Sequence, residues 1–176
     1  MTQYWWKNTI IYETYVDKFA KDFRGMTEKL PYLKNLGINC IWILPHYPSP
    51  MVDDGYDVSD YLSIRKELGT LDDFKQFTKK AHQMGIKVII DLVLNHVSME
   101  HPWFRNKSKF FIWSKTSKEF PDAINPFSHM KPSNWILDPL RGEYYFATFY
   151  PQQPDLNWEN PEVREEIYKM IVINNK

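Results

Sequence analysis

The sequence predicts an α/β protein built on a parallel sheet. Three observations carry the prediction: short, largely apolar runs recur along the first half of the chain, stretches of helical spacing lie between them, and a glycine closes each of those stretches. The first run, Thr9 to Val16, is rich in β-branched and aromatic residues and reads as a strand. Leu30, Leu33 and Leu36 then recur at three-residue spacing before Gly37, where a helix C-terminus favours a left-handed residue. Asn39 to Leu44 is the second strand. Leu71, Phe74, Thr78, Ala81 and Met84 mark one face of a second helix before Gly85, and Thr70 with Asp73 three positions on forms an N-cap pattern at its start. Lys87 to Leu94 is the third strand. Strands apolar on both faces that alternate with helices pair in parallel, through right-handed crossovers.

From Asn95 to Asn157 the rhythm breaks into an excursion dense in Pro, Ser, Asn, Trp and Phe, whose clearest strand-like piece is Glu143 to Phe149. Asn160 and Pro161 open a last helix with Val163, Ile167 and Met170 on one face, and the chain reaches Asn174, Asn175 and Lys176 where a further strand is expected. Three such units cannot close a barrel of eight strands and about 250 residues. A doubly wound sheet competes, but the glycine-rich phosphate turn expected after its first strand is absent, the chain there reading VDKFAKDFRG.

Composition excludes several functions. Twenty-two basic residues balance 22 acidic ones, so no electrostatic footprint for nucleic acid exists. Cys40 has no second cysteine to pair with, which excludes a disulfide scaffold or a zinc-thiolate site, and its apolar setting reads as a buried reduced thiol. The N-terminus MTQYWWKNTI lacks the pattern of a secretory signal and no apolar run approaches the roughly 18 residues of a membrane helix, so the expectation is a cytoplasmic protein with no membrane partner. Neither G-x-S-x-G nor a phosphate loop occurs.

In parallel α/β folds the loops leaving the strand C-termini form the ligand site. After the second strand, PHYPSPMVDDGYDVSDY sets Asp53, Asp54, Asp57 and Asp60 beside Tyr47, Tyr56 and Tyr61. Carboxylates that accept from hydroxyls, next to flat rings that cover C–H faces, suit a sugar. On composition alone the same loop reads first as a proline-rich turn with solvated acids. The third strand ends in DLVLNHV, which puts Asp91, Val93 and Asn95 on one face and His96 at the loop. Asp91 inside an apolar run needs a partner, in a site or in the backbone. A metal on Asp91, Asn95 and His96 would lack a second cluster to complete its shell. His46, His82, His101 and His129 read as solvated or capping residues, and most of the seven tryptophans as core.

Taken together, WWKNTIIYETYV, FRGMTEKLPYLKNLGINCIWILP, DDGYDVSDY, DLVLNH and QPDLNWENPEVRE resemble the start of the α-amylase family of glycoside hydrolases, family 13. QPDLN is similar to its oligo-1,6-glucosidase branch; HYPSPMVDDGYDVSDY, HPWF and PSNW look most like the trehalose synthase (maltose α-D-glucosyltransferase) branch and its α-glucosidase relatives. The resemblance implies the N-terminal part of a (β/α)8 TIM barrel, about three βα units, with a domain B insertion after the third strand. It implies residues 1–94 as the first three strands and two helices, 95–157 as domain B, and 158–176 as the third helix. Tyr56 matches a ring that stacks on the bound sugar, Asp57 a carboxylate that binds hydroxyls of a terminal glucose, and His96 a histidine that hydrogen-bonds the same sugar. Asp91 matches an acid that orients an arginine near the nucleophile, with Asn95 beside it.

The family mechanism is retaining, with nucleophile and acid about 5 to 5.5 Å apart. The resemblance places these carboxylates beyond Lys176, so no catalytic residue is assigned here and the 176-residue chain is expected to be inactive alone. The expected partner is a small oligosaccharide or disaccharide, with no cofactor. Self-association or pairing with a separate C-terminal half is expected from open sheet edges. The acidic metal loop of many relatives is reduced here to DKFAKDFRG, which retains Asp17 and Asp22, and no metal is expected there.

Overall fold

The structure, a computed structural model, describes residues 4–174. Met1 to Gln3, at the start of the segment read for a leader, and Asn175 and Lys176, where a further strand was expected, lie outside the described residues. Two compact units emerge, residues 1–48 with 63–92 and residues 49–62 with 93–176.

In the first unit three strands, β1 (Ile11–Thr14), β2 (Cys40–Ile43) and β3 (Lys87–Ile90), pair in parallel in the order β1-β2-β3. The register aligns Tyr12 with Ile41 and Ile41 with Val88. The sequence runs overshoot these strands at their ends. β3 stops at Ile90, although the Asp91 amide still donates to the Ile43 carbonyl at 2.8 Å. Strand alternation divides the sheet into two faces. Tyr12, Ile41, Ile43, Val88 and Ile90 join a core with Phe23, Met26, Leu30, Leu33, Phe77, Ala81 and Ile86. On the opposite face Ile11 is 47% exposed, and Trp42 and Ile89 are half-buried.

The helices show why the core takes that composition. α2 (Phe23–Asn35) buries Phe23, Met26, Leu30 and Leu33, a stripe of three- and four-residue steps. Leu36, expected on that face, is the C-cap and 54% exposed, because the stripe has already turned away from it. α3 (Leu71–Gln83) begins with a complete capping box, the Thr70 hydroxyl accepting from the Asp73 amide and the Asp73 carboxylate from the Thr70 amide. Its buried apolar residues are Phe77 and Ala81, while Leu71 is exposed.

A short helix that the sequence reading did not expect, α1 (Val16–Ala20), occupies the DKFAKDFRG stretch. Asp17 pairs with Arg65 at 3.2 Å, and Asp22 caps α2 by accepting from the Gly25 amide at 2.8 Å. Gly25 is required by proximity: a Cβ there would run into the Ala20 carbonyl oxygen.

In the second unit a three-stranded antiparallel sheet has the order β4-β6-β5, with β4 (Trp113–Ser114), β5 (Trp135–Asp138) and β6 (Glu143–Phe146). Only β6 was legible, since two residues of β4 carry no periodicity. α4 (Pro102–Asn106) is capped by the His101 ring, whose Nδ1 accepts from the Trp103 amide at 3.1 Å. α5 (Pro161–Asn174) begins where the Asn-Pro pair placed it, with Val163, Ile167 and Met170 buried. Trp135 is the one fully buried tryptophan; Trp5, Trp6 and Trp158 are exposed, against the expectation of a tryptophan-rich core. Among the described residues no helix is long and apolar enough to cross a membrane.

Candidate functional site

The loop 49–62, carried by the second unit, is organised around Asp57. This residue is 0% exposed, and its carboxylate accepts from the Ser49 hydroxyl at 2.7 Å, the Val52 amide at 2.9 Å and the Asp53 amide at 3.2 Å. Asp54 and Gly55 take positive φ, 47° and 101°, and turn the chain so that those donors converge. A carboxylate offers about four lone-pair sites, so three internal donors leave capacity for one more. Asp53 in turn accepts from the buried Gln153 side chain at 2.8 Å, which fastens the loop to the 150–153 turn.

His96 stands at the centre of the cluster. It is 4% exposed and forms an antiparallel bridge with Asp155, flanked by the Leu156 amide donating to the Asn95 carbonyl at 2.9 Å. Burial pushes its pKa down to about 4, opposed by the Tyr56 carbonyl and the negative charge of Asp57, so the ring is neutral at pH 7. The Asn95 amide nitrogen lies 3.2 Å from Nδ1. Nε2 has no hydrogen-bond partner. The Phe149 ring closes one side at 5.2 Å.

The structure therefore brings together Tyr56, Asp57, Asn95 and His96, four of the five residues chosen from the sequence. Asp91 belongs to the other unit, where it follows β3 and its charge, after burial, helps push the Tyr47 phenol up to about 12. His46, expected to be solvated or capping, is buried there between Tyr47 and Phe74 at 4.3 and 5.3 Å, and burial pushes it down to about 4. The sequence reading missed Phe149, Gln153 and Asp155 as neighbours of the cluster. A role for Asp155 was within reach, since QPDLN had been singled out, but nothing in the spacing says that a residue 59 positions on meets His96.

Two cavities lie elsewhere on the second unit. One of about 500 Å³ is lined by residues 106–110 and by Glu162, Glu165, Glu166 and Lys169, and one of about 240 Å³ by residues 59–62 and 101–103 with Glu166, Lys169 and Met170. Among the described residues no three His, Cys, Asp or Glu side chains group so as to hold a metal ion.

A buried neutral imidazole with an unused ring nitrogen, beside a carboxylate and a tyrosine, is a set of groups that can hold a polyhydroxylated ring. Residues 12–174 match the family described as alpha amylase, catalytic domain. The chain belongs to this family. It is 43% identical over 182 residues to a trehalose synthase of Pimelobacter sp. (strain R48), covering 95% of this chain and 32% of that relative. It is also 43% identical over 186 residues to an oligo-1,6-glucosidase of Parageobacillus thermoglucosidasius, covering 97% and 33%. Among solved structures, that of a mutant of the trehalulose synthase MutB in complex with glucose superposes with a TM-score of 0.86 at 40% identity, over 97% of this chain and 33% of that one. The chain thus spans about a third of the length of the curated relatives it matches. Its α/β architecture is that of part of an alpha-amylase catalytic domain.

Proposed function

We propose that this chain supplies the sugar-binding side of a retaining α-glucosidase or α-glucosyltransferase that acts on small α-glucosides such as maltose. Family membership supports the reaction class, and the relatives include a trehalose synthase and an oligo-1,6-glucosidase. The observation that carries the reading is the His96 ring, buried, neutral and with Nε2 unpartnered, set beside Tyr56 and Asp57. Its Nε2–H donates to a sugar hydroxyl, the remaining lone pair of Asp57 accepts from another, and Tyr56 covers the apolar face of the ring. Asp91, at the end of β3, takes the role the family resemblance gives it, orienting an arginine near the nucleophile.

In the same proposal, residues 1–94 are the first strands and helices of a (β/α)8 barrel, 95–157 its domain B and 158–176 the next helix. The half-exposed second face of the β1-β2-β3 sheet supports this, because a closed barrel covers that face with its own interior side chains. The family's nucleophile and acid are assigned to no residue of this chain, so the double displacement needs residues supplied by a C-terminal part.

A chimera tests the reading: this chain replaces the matching third of the Pimelobacter trehalose synthase, and turnover of maltose is followed. Turnover is expected, with kcat/KM falling by roughly tenfold or more in each of Tyr56→Ala, Asp57→Asn and His96→Ala, because the last two leave a sugar hydroxyl unpaired and the first uncovers the apolar face of the ring. A chimera that turns over maltose equally well with all three substitutions would sink the assignment. The 176-residue chain alone is expected to release no glucose from maltose. Heat from millimolar maltose in calorimetry without turnover would favour a carbohydrate-binding module.

A further inference from the structure

The cavity of about 240 Å³ shares no lining residue with the cluster of Tyr56, Asp57 and His96. Its walls come from three stretches of the second unit: residues 59–62, residues 101–103 at the start of α4, and one side of α5. The buried Tyr61 stiffens the first of these. Its hydroxyl donates to the Val93 carbonyl at 2.5 Å, and its ring lies 5.8 Å from that of His101 and 6.4 Å from that of Trp103. Phe110 and His101 in turn hold the half-buried Trp103 ring at 5.5 and 4.4 Å. The walls are thus preformed, and a ligand pays little to order them.

His101 supplies an open donor. The residue is 7% exposed, and its Nδ1 accepts from the Trp103 amide at 3.1 Å. A ring nitrogen that accepts carries no proton, so the proton is on Nε2. Nε2 has no hydrogen-bond partner among the described residues, and the ring lines the cavity, so an occupant of the cavity is what this N–H can meet.

Charge and size then decide the class of occupant. Glu166 is paired with Lys107 at 3.1 Å, and the other charged groups of the walls, Asp60 and Lys169, are of opposite sign. Walls of balanced charge favour neither a polyanion nor a cation. The Asp60 carboxylate, which takes the Leu62 amide at 2.8 Å, and the Ser59 hydroxyl add acceptors to the His101 donor, while Leu62, Trp103 and Met170 are apolar. A neutral ring with hydroxyls at its edge and C–H groups on its faces matches that mixture. The volume lies below the roughly 300 Å³ at which drug-sized pockets begin, which suits one ring rather than a chain of them.

We propose that this cavity is a second saccharide site, separate from the Tyr56, Asp57 and His96 cluster, which takes one pyranose ring: His101 Nε2–H donates to one hydroxyl, Asp60 accepts from another, and Trp103 meets the apolar face. It does not rest on the function proposed above.

Methyl α-D-glucoside tests it on the full 176-residue chain labelled with ¹⁵N at histidine and tryptophan. Titration is expected to shift the His101 imidazole and Trp103 indole signals together and to saturate with a dissociation constant of about millimolar order, as for other ligands of one small ring. Sorbitol carries the hydroxyls without the ring face and is expected to shift neither. Trp103→Ala, read at His101, is expected to weaken binding by about tenfold. Leu62→Trp, at an exposed position on the rim, fills the cavity; it is expected to keep the circular dichroism of the parent and to abolish the His101 shift, and it decides the matter if Trp103→Ala does not fold. No saturable shift at His101 and Trp103, an equal response to sorbitol, or a response that survives Leu62→Trp overturns the proposal. The His96 signal reports the other site in the same titration. A shift at His96 alone overturns the second site and leaves the first standing, and a shift at His101 and Trp103 supports the second site whatever His96 does.

Discussion

At Asp57 one carboxylate holds together the loop that carries it. Its three donors come from residues four to eight positions earlier, so the side chain acts as the hub around which 49–57 turns. Asp57→Asn keeps the size but turns one acceptor into a donor, and the Val52 or Asp53 amide is left without a partner inside the fold. A buried N–H without an acceptor costs roughly 1–3 kcal/mol. Urea unfolding at neutral pH is expected to show that loss, and an unchanged midpoint would mean the loop is held by other contacts. Asp57, Tyr56 and His96 were singled out by likeness to the family motifs, since composition alone read their loop as a proline-rich turn with solvated acids. Lys131 and Asp155 were not. A buried lysine reads in sequence like a solvated one, and only the approach of residues 131, 134, 147 and 148 reveals what its ammonium donates to.

At the scale of one helix, α3 shows local chemistry that a sequence states openly. The Thr70 and Asp73 pair was visible as a cap and is one, because capping needs only residues three apart. Thr70→Ala is expected to cost about 1 kcal/mol, read as a lowered urea midpoint. The third partner was not visible: Arg24 donates to Asp73 at 2.7 Å across 49 residues, and this bond, with those from Thr70, holds the Asp73 carboxyl down at about 2. A carboxyl whose folded pKa lies below its unfolded value of about 3.9 contributes stability that is complete above that value and is lost as pH falls through about 2. Asp73→Asn is therefore expected to lower stability at pH 7 and to flatten the melting temperature between roughly pH 4 and 2. The α2 stripe teaches the complementary lesson. Three leucines at three-residue spacing suggested a face, but a helix of 3.6 residues per turn rotates that row away, and Leu36 ends outside while Met26 and Phe23 continue the true stripe.

For the whole molecule the fold class was legible because the apolar runs recur three times and two glycine stops, Gly37 and Gly85, separate them. Strand lengths, the antiparallel β4-β6-β5 sheet and the two-unit division were not, since they depend on pairings distant in sequence. The β1 and β3 edges, unpaired on their outer sides among the described residues, present free ladder groups beside the partly exposed Ile11 face. Sedimentation of the isolated chain is expected to show association that rises with concentration, and a monodisperse monomer throughout would show these edges to be protected.

Acid sensitivity tests both units together. His46 in one, and His96 and His101 in the other, are all held near pH 4 by burial, while an unfolded histidine titrates near 6.5. Between those values the unfolded chain binds protons that the folded chain refuses. The stability they contribute is complete above about pH 6.5, declines as pH falls toward 4, and is gone below it, at up to about 1.4 kcal/mol per pH unit for each histidine. This window lies above that of Asp73, so the two losses separate on the pH axis. Calorimetric melting is expected to be level from pH 8 to 7 and to fall steeply from 6.5 to 4. His46→Phe, which keeps a ring between Tyr47 and Phe74, should remove about a third of that slope. A melting temperature constant from pH 7 to 4 would mean that these rings meet water or a counter-charge, and would remove the neutral His96 on which the sugar site depends.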